Sequence, residues 1–412
     1  MDKLQTLKGF RDFLPGKMVI RNEAIRRLRA VFEKYGFDEL QTPALEYAEV
    51  LTGKYGEEAE KLMYLFRDPG DREVGLRYDL TVPFARAIAN NPALPKPFKR
   101  YQIQPAYRAE NTQKGRYREF YQCDVDIAGS SSPMADAEII AVVNDCLSAL
   151  GFTNYKIRVN SRQVLFSIME KAGVEQPRWL TVIRSIDKLD KKTRVEVEAE
   201  LDTKGITKEQ IKSVFEAISK AKPDDFLTTT LAYARSLGIQ NTLVFDPTLA
   251  RGLDYYTGPI FESVVEEPKI GSLTGGGRYD GLLKTLGGPD LPATGTTIGL
   301  DRVCDVIEEL NLWPNLPKTA SKVLVTIFNQ NLAQEALKIA SGLREKGVNT
   351  EVYPSDNEKM EKQLKYADLK SIPFVLIIGP EENEQGVIQL KNMQTGKQET
   401  VKIDELVRKL SF

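Results

Sequence analysis

Arginines and carboxylates are concentrated in one short stretch of the chain, Tyr107–Phe120 (YRAENTQKGRYREF). An arginine presents a fixed fork of N–H donors that matches phosphate or carboxylate oxygens. Arg108 ends a strand-like run, whereas Arg116 lies beside Gly115 in a polar loop, so we expect Arg108 to be rigid and Arg116 to close over a ligand. Taken alone, such a loop is more often a charged hairpin with surface ion pairs.

Three carboxylates could complete a polar site: Asp79 in RYDLT, and Asp124 and Asp126 in YQCDVDIAG. Asp124 and Asp126 alternate along a predicted strand, so they share one face with Gln122. Such a face is either the floor of a polar pocket or the solvent side of an edge strand. Periodicity alone slightly favours the solvent side.

Two further arginines lie next to glycines. The segment ARGLDYYTG places Arg251 beside two tyrosines, so the guanidinium can bind an anion and the hydroxyls a polar ring, although Tyr-Thr-Gly is also ordinary turn chemistry. The segment TGGGRYDG permits a close backbone approach to a ligand, but it is not a known phosphate-loop pattern. Arg302 opens a predicted helix, where it suits a phosphate; alone, it is better interpreted as salt-bridged.

The composition excludes several classes of catalyst. The 412 residues include no histidine, which rules out Ser-His-Asp and Cys-His hydrolases, HExxH proteases and most catalytic zinc sites. Cys123, Cys146 and Cys304 are far apart, so we expect buried reduced thiols and no metal site. The net charge of −1 gives no hint of a nucleic-acid partner, and any RNA contact must use local basic patches.

The elements that would position these groups follow from periodicity. Helices are predicted at Val19–Tyr35 and Met134–Ala149. Strand-like runs at Phe98–Arg108 and Phe120–Ile127 suggest two antiparallel strands joined by a polar loop. Residues from about 165 to 237 read as a lysine- and glutamate-rich helical insertion, after which strand signals return at Leu243–Val265.

A proline-rich linker, Leu312–Ala320, precedes a regular alternation of strand and helix that predicts a C-terminal α/β domain with a largely parallel sheet. The expected domains are therefore residues 1–320, with the insertion, and 321–412. No apolar run reaches the roughly 18 residues that span a bilayer, and the N-terminus does not read as a signal peptide. We therefore expect a cytoplasmic protein without a membrane partner.

Taken in order, these segments resemble the histidyl-tRNA synthetases, a family of class II aminoacyl-tRNA synthetases. LKGFRDFLPG resembles the family's opening, GFDELQTPALE its motif 1, YRAENTQKGRYREFYQCDVDIAG its motif 2 and TTIGLDRV its motif 3. RGLDYYTG and GGGRYDGL are similar to the two histidine-family signatures. DKLDK resembles the insertion, and QLKYADLKSIPFVLIIG the anticodon-binding domain.

The resemblance implies an α+β catalytic domain with a mainly antiparallel sheet flanked by helices, and a homodimer. It implies ATP-dependent ligation of L-histidine to tRNA(His) through a histidyl-adenylate. The cofactor expectation is ATP with Mg²⁺ as a substrate complex, with no permanently bound cofactor.

The resemblance also implies roles for individual residues. For ATP, Arg108 would hold the α-phosphate, Glu110 the adenine, and Arg116 and Arg302 the outer phosphates. For histidine, the α-amino group would contact Asp79, Thr81 and Gln122, and the imidazole would contact Asp126 and Tyr256, with Tyr255 lining the same pocket. Arg251 would contact the substrate carboxylate and the reacting phosphate as an electrostatic catalyst. For tRNA, the contacts would be Gln113, Lys114, Lys359 and Lys362.

Motif 3 departs from the family in having Asp301 where glutamate is common, which could shift the metal or ATP geometry.

Two other functions remain open. A non-catalytic paralogue, like the regulatory subunit of ATP phosphoribosyltransferase, would keep the catalytic fold but generally lacks the anticodon domain and degrades the signatures, which this chain retains. A plain RNA-binding or scaffold protein gains support only from Lys359, Lys362 and Lys365, whose spacing is typical of a solvated helix face.

Overall fold

The structure is a computed structural model that describes residues 4–53, 60–113, 115–251, 255–285 and 288–410. It divides into two compact units. The first comprises the residues up to Asp12 together with Glu23–Trp313, and the second comprises Phe13–Asn22 together with the residues from Pro314 onward. Each unit has its own hydrophobic core.

The strands of the first unit are, over the described residues, β1 Asp38–Glu39, β2 Leu45–Tyr47, β3 Leu65–Arg67, β4 Glu73–Leu76, β5 Phe98–Tyr107, β6 Glu119–Ala128, β7 Tyr155–Ser161, β8 Leu243–Phe245, β9 Pro259–Val265, β10 Thr274–Arg278 and β11 Ala293–Gly299. Eight of these described strands form one sheet in the order β1-β5-β6-β11-β10-β9-β7-β8. Only the two outermost pairs, β1–β5 and β7–β8, are parallel. The predicted mainly antiparallel sheet is therefore confirmed.

The helices of the first unit are, over the described residues, α1 Pro15–Lys34 (which begins in the second unit), α2 Ala48–Leu51, α3 Thr81–Ala89, α4 Pro133–Ala149, α5 Arg162–Lys171, α6 Trp179–Ile186, α7 Arg194–Thr203, α8 Lys208–Lys220, α9 Asp225–Ser236, α10 Leu282–Thr285 and α11 Leu300–Glu309. Helix α4 packs on the sheet through the apolar face that its sequence predicts, with Ile139, Val142 and Leu147 fully buried. Ser132 caps its first turn by accepting the Met134 N–H.

The insertion is helical as predicted and runs from α5 to α9. Thr193 and Thr207 each begin a helix with a reciprocal capping box, so their helix starts are encoded locally. Buried insertion residues such as Val182 and Val197 share a single hydrophobic cluster with Ile260 of β9. The insertion therefore shares a core with the sheet.

The second unit contains, over the described residues, β12 Val323–Val325, α12 Ala333–Glu345, β13 Thr350–Val352, α13 Met360–Leu369, β14 Phe374–Ile377, α14 Pro380–Gln385, β15 Val387–Asn392, β16 Gln398–Lys402 and α15 Leu406–Leu410. Its sheet has the order β13-β12-β14-β15-β16. The first three strands are parallel to one another, as predicted, but β15 and β16 run antiparallel. The expectation of a largely parallel sheet was wrong here because β16 is mostly exposed and polar, so it lacks the apolar signal of a buried strand.

Over the part of the chain described, no helix combines the length and the apolar character needed to cross a membrane. The three cysteines are free and buried, as the sequence predicts.

Candidate active site

A cavity of about 1290 Å³ lies over the sheet of the first unit. Every described residue that the sequence assigns to histidine or ATP lines it: Asp79, Thr81, Arg108, Glu110, Arg116, Gln122, Asp126, Arg251, Tyr255, Tyr256 and Arg302. Gln113 lines it too, whereas Lys114 lies outside the described residues. Lys359 and Lys362 are exposed in the second unit, at the start of α13, and are not part of this cavity.

Arg108 is held at the end of β5. Its Nε donates to the Tyr78 carbonyl at 3.1 Å, and its guanidinium lies over the rings of Tyr78 and Phe120, 4.3 and 5.0 Å from their centroids. A guanidinium held between aromatic faces loses little further freedom when it binds an anion. The expectation that Arg108 is positioned rigidly agrees with these contacts.

Arg116 lies at the tip of the β5–β6 hairpin. Its backbone pairs with Gln113 in a tight turn, and its side chain is 43% exposed, 3.6 Å from Glu110. An exposed ion pair at this distance contributes little to stability, so Arg116 can exchange Glu110 for a ligand at small cost. Arg108 is therefore held by its neighbours and Arg116 is exposed, which is the difference that their positions on a strand and in a loop predict.

Arg302 is the third residue of α11. Its Nε donates to the Gly115 carbonyl at 3.0 Å and its Nη1 to the Ser272 carbonyl at 2.6 Å. Burial lowers the pKa of Arg302, and the positive charges of Arg116 and Arg108 lower it further. Two positive charges thus disfavour the charge of Arg302, and an anionic phosphate chain beside it would stabilise that charge.

Asp301, the departure from the family pattern, is held by other parts of the protein. One carboxylate oxygen accepts Arg11 Nη2 at 2.7 Å, and the other accepts the Tyr121 backbone N–H at 2.8 Å. The shorter aspartate side chain thus ties the start of α11 to β6 and to the N-terminal segment. Both oxygens have protein partners at this position.

The carboxylates of β6 form the floor of the cavity. Asp124 and Asp126 are only 2% and 3% exposed, so the slight preference for the solvent side of an edge strand was wrong. The strand is central, between β5 and β11, and both of its faces are covered. The fully buried Arg100 of β5 lies 2.8 Å from Asp126 and 3.8 Å from Asp124.

Burial raises the pKa of Asp124 to about 7, although Arg100 opposes the shift, and burial likewise raises the pKa of Asp126. Tyr279 donates its hydroxyl to Asp126 and lies under it at the end of β10. Asp126 thus has two protein partners, Arg100 and Tyr279. Asp124 Oδ1 is a buried oxygen with no hydrogen-bond partner among the described residues.

Asp79 and Gln122 extend this floor toward the arginines. Asp79 accepts the Val82 N–H at 3.1 Å at the start of α3, directly beside Thr81. Gln122 donates to the Thr297 hydroxyl at 3.0 Å, which holds its amide in the plane of the floor. A row of carboxylates and an amide can bind an ammonium group and a ring N–H.

Arg108, Arg116 and Arg302 together form what we call the arginine wall, and Arg251 lines the same cavity. Its guanidinium lies 3.8 Å from Glu262, which Arg158 holds at 2.7 Å, and its Nε has no hydrogen-bond partner in the described structure. Burial raises the pKa of Glu262, while Arg251 and Arg158 oppose this. Arg251 therefore lines the cavity with at least one buried donor that has no protein acceptor among the described residues.

Two glycines make these side-chain positions possible. A Cβ at Gly275 of β10 would overlap the Arg251 guanidinium, and a Cβ at Gly295 of β11 would overlap the Asp126 carboxylate. The sequence predicts close approach of a ligand to the TGGGRYDG backbone. In the structure, the close approach at Gly275 is that of the Arg251 side chain.

Tyr255 and Tyr256 pack together with ring centroids 4.8 Å apart, and Tyr255 also meets Tyr279 edge-on at 6.0 Å. Burial raises the pKa of Tyr255 and of Tyr279, so both hydroxyls keep their protons. This aromatic corner lies next to Asp126. It offers neutral hydroxyls and ring faces around a small polar ring.

Four residues of the site were missed by sequence reasoning: Arg100, Arg158, Glu262 and Tyr279. Tyr279 lies in TGGGRYDG, two residues after the last of the glycines that predict a close backbone approach, so the sequence did contain a signal for it. Arg100, Arg158 and Glu262 lie in ordinary strand patterns. Only the strand order brings Arg158 and Glu262 to the cavity and Arg100 to the carboxylates of its floor.

Comparison with known proteins places this geometry in context. A family model described as "Histidyl-tRNA synthetase" matches residues 9–303, and one described as "Anticodon binding domain" matches residues 322–411. A curated Histidine--tRNA ligase of Cytophaga hutchinsonii is 40% identical over 455 aligned positions, covering 100% of both chains. That of Aeropyrum pernix is 42% identical, covering 97% of this chain and 96% of the relative.

Among solved structures, the crystal structure of histidyl-tRNA synthetase from Nostoc sp. PCC 7120 is similar along the whole chain. Its TM-score is 0.86 at 28% sequence identity, with 100% of this chain and 99% of that chain covered.

Proposed function

The chain belongs to the histidyl-tRNA synthetase family and is thereby a ligase that charges tRNA with histidine; we propose that the cavity of the first unit binds histidine and ATP side by side and forms histidyl-adenylate there. One observation carries the proposal. Five arginines and a floor of buried carboxylates, which come from segments far apart in the chain, line the same cavity.

ATP fits the arginine wall. Arg108 holds the α-phosphate, Glu110 contacts the adenine, and Arg116 and Arg302 bind the outer phosphates. Mg²⁺ enters with ATP as part of the substrate complex, with the phosphate oxygens and water supplying most of its ligands. Arg116 and Arg108 destabilise the charge of Arg302, and this supports the arrangement because a phosphate chain would relieve it.

Histidine fits the carboxylate floor. Its α-ammonium contacts Asp79, Thr81 and Gln122, and its imidazole lies in the aromatic corner next to Asp126 and Tyr256, with Tyr255 beside it. Because Asp126 is held by Arg100 and Tyr279, its orientation is set before the substrate binds. A buried site built to hydrogen-bond a ring rejects analogues without those groups by factors of about 10⁴ or more.

Arg251 acts where the two substrates meet. The histidine carboxylate attacks the α-phosphorus in line while the bond from that phosphorus to the bridging oxygen of the β-phosphate breaks, and pyrophosphate leaves. This displacement requires positioning and charge neutralisation more than proton transfer. Arg251 can contact both the carboxylate and the phosphorane-like oxygens, so it stabilises charge that develops in the transition state. A site of this kind needs no histidine base.

The remaining parts of the proposal concern assembly and tRNA. Gln113 at the hairpin tip, and Lys359 and Lys362 at the start of α13, are proposed to contact tRNA, and Lys114 lies outside the described residues. The match of residues 322–411 to an anticodon-binding domain supports this assignment and a catalytic domain ending near residue 320. We also propose a homodimer that works in the cytoplasm.

Histidine-dependent exchange of pyrophosphate into ATP tests the proposal. We expect exchange with histidine and not with other amino acids. Arg251→Ala should lower kcat by about 10² to 10³ with a smaller change in KM, whereas Arg235→Ala, an exposed arginine of α9, should not. A folded protein that shows no exchange with histidine would contradict the proposal and favour the non-catalytic paralogue.

A further inference from the structure

Arg251 has an unusual backbone conformation for a residue with a side chain. Its φ angle is +48°, in the left-handed region that glycine adopts easily and most other residues avoid. Residues in such conformations persist only when their surroundings impose them, and they are concentrated at functional sites. Some neighbouring group must therefore hold Arg251 in place.

Both peptide groups of Arg251 have a side-chain partner. Its N–H donates to Asp187 Oδ1 at 3.0 Å, and its carbonyl accepts Arg162 Nη2 at 3.2 Å. Asp187 is the first residue of a single-turn 3₁₀ helix that follows α6 in the helical insertion, and Arg162 begins α5. Both peptide groups of the proposed catalytic arginine are thus held by residues of the insertion.

Asp187 is itself fixed by packing. Val182, Ile183 and Ile186 of α6 belong to the same hydrophobic cluster as Leu249 and Ala250, the two residues directly before Arg251. All five are almost fully buried. The distance between the end of α6 and Arg251 is therefore set by a shared core, and the Asp187 carboxylate bridges it.

The Arg251 side chain is held less firmly than its backbone. Its Nη1 lies 3.8 Å from Glu262 Oε2, beyond hydrogen-bonding distance, whereas Arg158 binds the other Glu262 oxygen at 2.7 Å. A second, smaller cavity of about 180 Å³ is lined by Asp187, Arg251 and Glu262. Because no hydrogen bond holds its Nε, the direction of the guanidinium depends on the backbone that carries it and on the space that Gly275 leaves.

We infer that Asp187 is a positioning residue for the proposed catalytic Arg251: its carboxylate accepts the Arg251 N–H and keeps the left-handed backbone that aims the guanidinium into the substrate cavity. This inference rests on the proposed function. Without the acceptor, the residue can relax to a negative φ, which swings the side chain away from the reacting atoms. Displacements of about 1 Å in catalytic groups cost about 10² in rate.

The test compares two variants of Asp187 with an exposed control in the same insertion, Asp202→Ala. Asp187→Ala removes the acceptor, whereas Asp187→Asn keeps an oxygen that can accept the same N–H. In histidine-dependent pyrophosphate exchange we expect Asp187→Ala to lower kcat about 10- to 100-fold, with KM for histidine changing less than threefold. Asp187→Asn should stay within about threefold of the unsubstituted protein in kcat.

The pattern across the variants decides the inference. Wild-type kcat in Asp187→Ala would overturn it, and so would an Asp187→Asn variant that is as slow as Asp187→Ala, because the acceptor geometry would then not matter. A parallel rise in KM for histidine and ATP at unchanged kcat would also overturn it. Arg251→Ala, measured alongside, separates the two proposals: if it retains full kcat, the proposed function of Arg251 fails whatever Asp187 does. Thermal unfolding of each variant shows whether a loss of kcat is due to misfolding. If Asp187→Ala does not fold, Asp187→Asn still tests the inference.

Discussion

Asp124 and Asp126 place two carboxylates inside the protein, with one fully buried guanidinium, Arg100, between them. Removing two carboxylates from water is costly, and one arginine cannot neutralise both. The protein accepts this cost at a cavity whose proposed substrate carries an ammonium group. The ammonium group of bound histidine would therefore offset the negative charge of the floor.

This arrangement predicts how stability depends on pH. Because burial raises the pKa of Asp124 to about 7, above the value of about 4 in an unfolded chain, the folded protein binds more protons between these values. The contribution of Asp124 to the free energy of unfolding is therefore fully present below about pH 4, and it is lost as pH rises through about 7. We expect the Tm of the unsubstituted protein, measured relative to that of Asp124→Asn, to be lower at pH 8 than at pH 5.

Calorimetry without histidine measures this difference, with the exposed Asp202→Asn as a control that should show no such trend. A Tm difference that is constant over this range would contradict the raised pKa.

The β5–β6 hairpin shows how one element supplies two kinds of binding group. The paired strands, in register from Phe98↔Ala128 to Tyr107↔Glu119, carry Arg108 at their rigid end, and the connecting turn carries Arg116. Beyond the end of the paired strands, Gln113 and Arg116 are exposed. The arginine at the strand end is therefore held more firmly than the arginine in the turn.

We expect this gradient to be measurable in catalysis. Arg108→Ala should lower kcat/KM for ATP by about 10² to 10³, because it removes a preorganised group at the reacting phosphate. Arg116→Ala should cost about tenfold, mostly in KM for ATP, because an exposed arginine must be ordered on binding. Pyrophosphate exchange measures both, with Arg235→Ala as the control; equal losses in kcat for the two variants would contradict the distinction.

The two units of the molecule carry different parts of the proposed reaction. The first contains the whole cavity, and the second presents Lys359 and Lys362 on its surface. Lys362 is paired with Glu358 at 2.8 Å, so binding a phosphate must compete with an exposed ion pair. The overall charge of −1 leaves local patches such as this one as the means of binding RNA.

Combined Lys359→Ala and Lys362→Ala substitutions should weaken tRNA binding and reduce the slope of log K against log salt concentration by about 1 to 2, since each phosphate contact contributes about 0.7 to 0.9. Pyrophosphate exchange, which needs no tRNA, should be unchanged. Filter binding at several salt concentrations tests this, with Lys338→Ala on α12 as a matched control. An unchanged slope would place the RNA on another face.

The order of elements and the helical insertion were determined by the sequence itself, because periodicity and capping residues act locally. The 3.6-residue pattern of α4 and the capping boxes at Thr193 and Thr207 are examples. The roles expected of Arg108 and Arg302 followed from the family resemblance, since either residue taken alone favours a surface ion pair. Whether Asp124 and Asp126 face solvent or a cavity was decided only by the tertiary structure, since a strand's burial depends on its neighbours in the sheet. The same holds for Arg100, Arg158 and Glu262, which enter the site through strand order. Asp187 and Arg251 are 64 residues apart in the chain, and only the shared core of the insertion and the sheet brings them into contact.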